Sequence, residues 1–219
     1  MTRFNAALNL AVVASLAIAG GPARADTFTS DFLTGFDGWQ QQWHKESETG
    51  TAGVVTHSTE RGYLDGASLK FDMGDGFGDD GTLWIEKQFA VPTGVPTHLS
   101  LAFQQFNEFQ SDFNTFQVKA AISTENPDEQ ADFTTIGSTD AAEGWVPFTY
   151  EDTITSASGQ VWVAAGIRVA WETHRDYWID HVVVSTSVIP EPSSIILVGV
   201  GLALITLQSG QLRSKRTRS

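Results

Sequence analysis

No cysteine occurs anywhere in the chain, which excludes disulfides, zinc–thiolate sites and cysteine nucleophiles. Basic residues are scarce. Of 13 Lys and Arg, Arg3 and Arg24 lie near the start and Arg213, Lys215, Arg216 and Arg218 at the end, leaving seven between. All 26 Asp and Glu fall between Asp26 and Glu191, so that stretch carries about −19. Such a charge disfavours nucleic acid as a partner, and other anionic polymers too unless a divalent cation bridges them. Solubility alone accounts for most of it. Internal repeats are missing, which argues against a propeller or solenoid. So are H-E-x-x-H, G-x-S-x-G and the Walker loop, and the five histidines show no ligand spacing.

Long apolar runs are present only at the two ends. Residues 1–25 read as a secretory signal peptide: Arg3 supplies the positive region, and Ala6 to Ala19 is apolar apart from Asn9 and Ser15. Ala23-Arg24-Ala25 then gives an A-x-A cleavage site, so the mature chain is expected to begin near Asp26. An amphipathic first helix is the alternative, against which stand the missing polar periodicity and the small residues at the cut. At the other end, 193–212 would cover roughly 30 Å as a helix, a marginal membrane span. The basic residues directly after it would stay cytoplasmic, leaving the domain outside.

The order Pro190-Glu191-Pro192, short membrane span, basic terminus with Arg213, Lys215, Arg216 and Arg218 resembles a PEP-CTERM sorting signal. That resemblance implies recognition by an exosortase, cleavage near the Pro-Glu-Pro, and transient membrane anchorage. It also implies a final place at the cell surface or in an exopolysaccharide matrix. It covers residues 190–219 and says nothing about the domain they follow.

Between the signals, residues 26–189 are enough for one domain with a proper core. Their apolar period is two. In TFQVKAAIS, Phe116, Val118, Ala120 and Ile122 share a face. The same holds for Val161, Val163, Ala165, Ile167, Val169 and Trp171, for Leu99, Leu101 and Phe103, and for Leu69, Phe71 and Met73. Turn signals separate these runs at Pro92-Thr93-Gly94, Asn126-Pro127-Asp128 and Ser156 to Gly159. No segment has helical period. About nine to eleven strands in one domain predict an all-β, two-sheet sandwich of the jelly-roll kind.

SDFLTGFDGW at the start, DYWIDHVVV at the end and SLKFDMGDGFGDDGTLWIEKQF between resemble galactose-binding-like jelly rolls, the architecture of many carbohydrate-binding modules. The resemblance implies adjacent first and last strands and a structural calcium held by an acidic residue of the last strand. Lectin-like sandwiches of the concanavalin type stay open.

Two acidic positions are candidates for calcium. Asp75, Asp79 and Asp80 sit among glycines in GDGFGDDG, a loop able to offer several hard oxygens. A solvated hairpin loop explains the same residues. Asp180 interrupts the apolar run YWIDHVVV, and the phase break between Ile179 and Val182 predicts a bulge. A carboxylate there needs a partner. By resemblance that is calcium, shared with Asp31 or Asp37; an ion pair with Arg175 or Arg168 is the alternative.

Seven tryptophans lie in the domain, and at least four are expected in the core. Trp84 and Trp162 fall opposite the apolar parity of their strands, and Trp171 ends one. Phe106, Phe109 and Phe113 are read as lying on a polar loop with Gln104, Asn107 and Gln110. Trp84, Trp162, Trp171 and Phe113 are therefore the candidates for stacking on sugar rings. The function expected is a non-enzymatic module binding envelope or matrix polysaccharide. A structural acidic matrix component without a specific ligand is the second reading, and a glycan-active enzyme the third.

Overall fold

The computed structural model describes residues 25–45, 53–74, 81–108, 116–139, 142–169 and 175–189. They form eleven strands: β1 (Ala25–Ser30), β2 (Gln40–Lys45), β3 (Val54–Ser58), β4 (Ser68–Asp72), β5 (Gly81–Ala90), β6 (Pro96–Asn107), β7 (Gln117–Ser123), β8 (Thr134–Ser138), β9 (Gly144–Thr155), β10 (Gln160–Arg168) and β11 (Asp176–Val188). Among the described residues the helical content is a single 3-10 turn, Gln130–Asp132. None of their helices is long and apolar enough to cross a membrane. The sandwich unit is Ala25–Val188, and Met1–Arg24 and Ile189–Ser219 fall outside it.

The strands make the expected two-sheet sandwich. One sheet runs β3-β4-β11-β6-β9, with β1 also paired to β11; the other runs β2-β5-β10-β7-β8. Every pairing is antiparallel. The adjacency of first and last strands is present in the register Ala25↔Ser187 through Ser30↔Val182. The core follows the period of two. Leu69, Phe71, Leu99, Leu101, Phe103, Tyr177 and Ile179 from the six-stranded sheet meet Leu83, Ile85, Val118, Ala120, Val163, Ala165 and Ile167 from the five-stranded one. Each fully buried aliphatic side chain contributes about 1.5–3 kcal/mol.

Two turn signals fall where strands reverse: Gly94 follows β5 and Gly159 precedes β10, with φ of +70° and +75°. Only glycine takes that conformation without strain.

One expectation is corrected. Gln104, Phe106 and Asn107 lie on β6 rather than in a polar loop, because the inward alternation of Leu99, Leu101 and Phe103 continues through Gln105 and Asn107. These buried amides are linked, although Gln105 Oε1 is left without a partner. Gln105 Nε2 donates to Asn107 Oδ1 at 2.9 Å, and Asn107 Nδ2 donates to the Ala142 carbonyl at 3.0 Å. Period outweighs polarity there.

Candidate functional site

The outer face of the five-stranded sheet is where polar chemistry concentrates. Strand parity that sends Leu83, Ile85, Val163 and Ile167 inward turns Thr82, Trp84, Glu86, Trp162, Gly166 and Arg168 outward. Register then builds rows. His44, Thr82, Arg168 and Gln117 lie side by side, then Gln42, Trp84, Gly166 and Lys119, then Gln40, Glu86, Ala164 and Ala121. Gln88, Trp162 and Ser123 form the last row. Gly166, Ala164 and Ala121 make a low floor. A Cβ on Gly166 would lie 2.5 Å from the Trp84 Cβ, so glycine is what lets Trp84 lie against β10.

Outer-face residues of a sheet are usually wet, yet here Thr82, Trp84, Glu86 and Lys119 are buried. Trp84 packs with Ala121, Phe133 and Ala164 as a small second core, its ring 5.0 Å from that of Phe133. Its indole Nε1 donates to Glu86 Oε2 at 2.8 Å. With its amide turned to satisfy both groups, Asn126 also donates to both Glu86 oxygens at 3.2 Å. Lys119 Nζ donates to Thr135 Oγ1 at 2.7 Å. Burial, and secondarily the Arg168 charge, lower the Lys119 pKa. Thr82 Oγ1 and Arg168 Nε are buried with no hydrogen-bond partner. Leaving such groups unpaired costs about 1–3 kcal/mol each. Unsatisfied buried groups in a native fold call for an explanation.

Sequence parity placed Trp84 and Trp162 on this outer face, and both are there. Trp84 is nevertheless 1% exposed, because Phe133 from the β7–β8 connection covers it, so it presents no stacking surface. Trp162 is half-buried and keeps that possibility. Thr82, Glu86 and Lys119 escaped the reading by residues, which named Arg168 only as an ion-pair partner for Asp180. The available signal was charged or hydroxyl side chains at outward positions of strands otherwise apolar.

Asp180 lies in the six-stranded sheet, at a junction. β4 pairs with Asp176–Ile179 of β11 and β1 with Val182–Ser187, and the pairing with β6 slips between Asp180 and Val183. The predicted bulge is therefore present, with His181 at φ +49°. Asp180 is 1% exposed. Its Oδ2 accepts from Tyr63 N at 2.7 Å and its Oδ1 from His181 N at 2.6 Å. Among the described residues no arginine pairs with it, so the ion-pair alternative gives way to two backbone amides. Burial pushes its pKa up to about 6, against those two hydrogen bonds, with the charges of Asp65 and Asp31 adding to the rise. Asp31 is indeed brought close, its Oδ1 lying 2.7 Å from His181 Nδ1. Asp37 instead accepts from Phe32 N at 3.0 Å within the β1–β2 loop.

Calcium takes six to eight oxygens. Among the described residues no group of three or more His, Asp and Glu side chains is placed to hold a metal. Asp180 and Asp31 would be two ligands, and backbone carbonyls would have to complete the shell. Asp75, Asp79, Asp80, Phe113 and Trp171 lie outside the described residues. So do Pro190, Glu191, Pro192, Arg213, Lys215, Arg216 and Arg218 of the sorting motif.

No protein-family model and no curated protein matches the chain. Solved structures do. One is the CBM22-1–GH10 part of xylanase 10B from Clostridium thermocellum, complexed with xylohexaose, at 16% identity and TM-score 0.46 over 75% of this chain. The chain spans 28% of that protein. Another is the CBM22-1 xylan-binding domain of Paenibacillus barcinonensis Xyn10C, at 12% identity and TM-score 0.46, covering 78% of this chain and all of the domain. A third is TmCBM61 in complex with β-1,4-galactotriose, at 12% identity and TM-score 0.42, covering 70% and 89%. These likenesses are in architecture.

Proposed function

We propose that the domain binds polysaccharide on the outer face of its five-stranded sheet and does so without catalysing a reaction. The observation that carries this reading is the polar outer face that sets the half-buried Arg168, whose Nε has no partner, on one sheet surface with the half-buried Trp162. Sugars offer hydroxyls that both donate and accept. Arg168 and Lys119 would donate to them, the exposed Gln42 and Gln88 on the same rows would accept, and the half-buried Trp162 would take the C–H face of a pyranose ring. An acidic domain of about −19 selects a neutral glycan over an anionic one. The same charge would suit a matrix component cross-linked through cations, which is the second reading. A glycan array separates the two. Binding to one defined class of neutral glycan supports the first, and uniform silence favours the second.

The proposal extends to the chain's destination. Export by the signal peptide, transient anchorage through 193–212 and exosortase cleavage near Pro190-Glu191-Pro192 would deliver the domain to the cell surface or its polysaccharide matrix. A structural calcium, held in part by Asp180 and Asp31, belongs to the same proposal. It would tie the β1–β2 loop to β11 and relieve the repulsion between their carboxylates.

A further inference from the structure

The opposite side of the sandwich carries a second aromatic surface. On the outer face of the six-stranded sheet, Phe106 of β6 pairs with Trp178 of β11 and with Trp145 of β9. The Phe106 ring meets Trp178 edge-on at 5.9 Å and Trp145 edge-on at 5.4 Å. The β3–β4 connection, residues 59–67, folds over this row. Arg61 places its guanidinium carbon 4.4 Å from the Phe106 ring centre and 4.8 Å from that of Trp178, and pairs with Glu108 at 3.3 Å. Beyond it, Tyr63 meets Trp145 edge to face at 5.8 Å, yet remains 38% exposed.

Tyr63 is held firmly for an exposed side chain. Its N–H is bound by the buried Asp180 carboxylate, and the Arg61 carbonyl accepts from Ser68 Oγ at 2.5 Å. Gly62 closes the loop so tightly that a Cβ there would lie 2.3 Å from Ala67 N. An aromatic ring fixed in advance loses little entropy when a ligand stacks on it.

Charge narrows the ligand. The loop adds Glu60 and Asp65, Glu108 lies beside it, and Asp31 reaches it through His181, whose ring centre is 6.0 Å from that of Tyr63. Both cations of this surface among the described residues are already engaged: Arg61 by Phe106, Trp178 and Glu108, and Lys70, 5.6 Å from the Trp178 ring centre, by Asp176 at 2.8 Å. An acidic rim repels anionic lipid, nucleic acid and acidic polymers. It accepts hydrogen bonds from neutral hydroxyls, while the aromatic corner takes a sugar's C–H face.

We propose that Tyr63 and Trp145 form a second contact for neutral polysaccharide, so that one domain bridges two glycan strands on its opposite faces; this rests on the domain being a glycan binder. Full-length protein is run in native gels containing soluble xylan, β-1,4-galactan or mixed-linkage glucan, and the turbidity of each polymer with added protein reports bridging. Tyr63→Ala should weaken retardation about fivefold and abolish turbidity, and Tyr63→Phe should retain both. Trp162→Ala should also abolish turbidity while leaving the Tyr63-dependent retardation. Unchanged turbidity and retardation in Tyr63→Ala, with both lost in Trp162→Ala, overturns the second contact and leaves the first intact. Absence of retardation by every polymer overturns both. A Tyr63-dependent shift in native mass without polymer would instead make this face a protein contact and overturn the proposal.

Discussion

Replacing Asp180 with Asn while varying pH gives a signed result. In the folded domain burial raises the carboxyl pKa from 3.8 to about 6. A raised folded-state pKa means that the native state binds the proton more tightly than the unfolded chain. The resulting stabilisation is complete below about pH 3.8 and is lost as pH rises through about 6. Its full size is about 3 kcal/mol, of which about 2 kcal/mol is reached by pH 4.5. Asn cannot titrate, so this gain disappears. At pH 7.5 the variant relieves a buried charge but turns an amide NH2 toward the N–H of Tyr63 or His181, a loss of about 1–3 kcal/mol, so the two effects offset. In EDTA, the melting temperature of wild type relative to Asp180→Asn should therefore rise by roughly 4–8 °C between pH 7.5 and pH 4.5. The other carboxylates titrate alike in both proteins and cancel in the difference. Saturating calcium at matched ionic strength should flatten the wild-type profile, because a bound cation favours the ionised carboxylate. Parallel pH profiles for the two proteins in EDTA would refute the reasoning.

Other outcomes follow from packing and from the proposed destination. Phe71→Ala, at a fully buried position between β3 and β11, should cost about 3–5 kcal/mol in urea unfolding. Lys119→Met should leave the melting temperature unchanged or higher, since it removes a buried ammonium, while weakening glycan retention; a lower melting temperature with unaltered retention would make Lys119 purely structural. Intact mass from an exosortase-bearing host should show loss of both Met1–Ala25 and the basic terminus. A mature protein that keeps Arg213 to Ser219 would contradict processing.

Much of the sandwich was legible because a sheet with one buried face writes its period into the sequence. Val161, Val163, Ala165, Ile167 and Val169 are all buried, as are Phe116, Val118, Ala120 and Ile122. Parity also placed Trp84 on the outer face. It could not say that Phe133, about fifty residues away, would cover it. Asp180 shows the same division. The phase break around it foretold a bulge, whereas its partner, the Tyr63 amide, lies on a loop that reaches it only through tertiary folding. Trp145 and Tyr63 were passed over for a related reason, since their pairing crosses from the β3–β4 loop to β9. Local pattern fixes which way a side chain points, and long-range topology decides what it meets.

The glycan-binding claim is tested most directly by the indole N–H resonances of the seven tryptophans in full-length protein, titrated with a soluble neutral oligosaccharide. Trp162 and the Glu86-bonded Trp84 should shift in a saturable way, because both lie on the proposed face. Trp39, whose indole is held by Ser30 Oγ at 3.0 Å, should stay fixed as an internal control. Indole resonances unmoved by xylan, galactan and glucan oligosaccharides alike, or shifts that bypass Trp162 and Trp84, would contradict binding at this face.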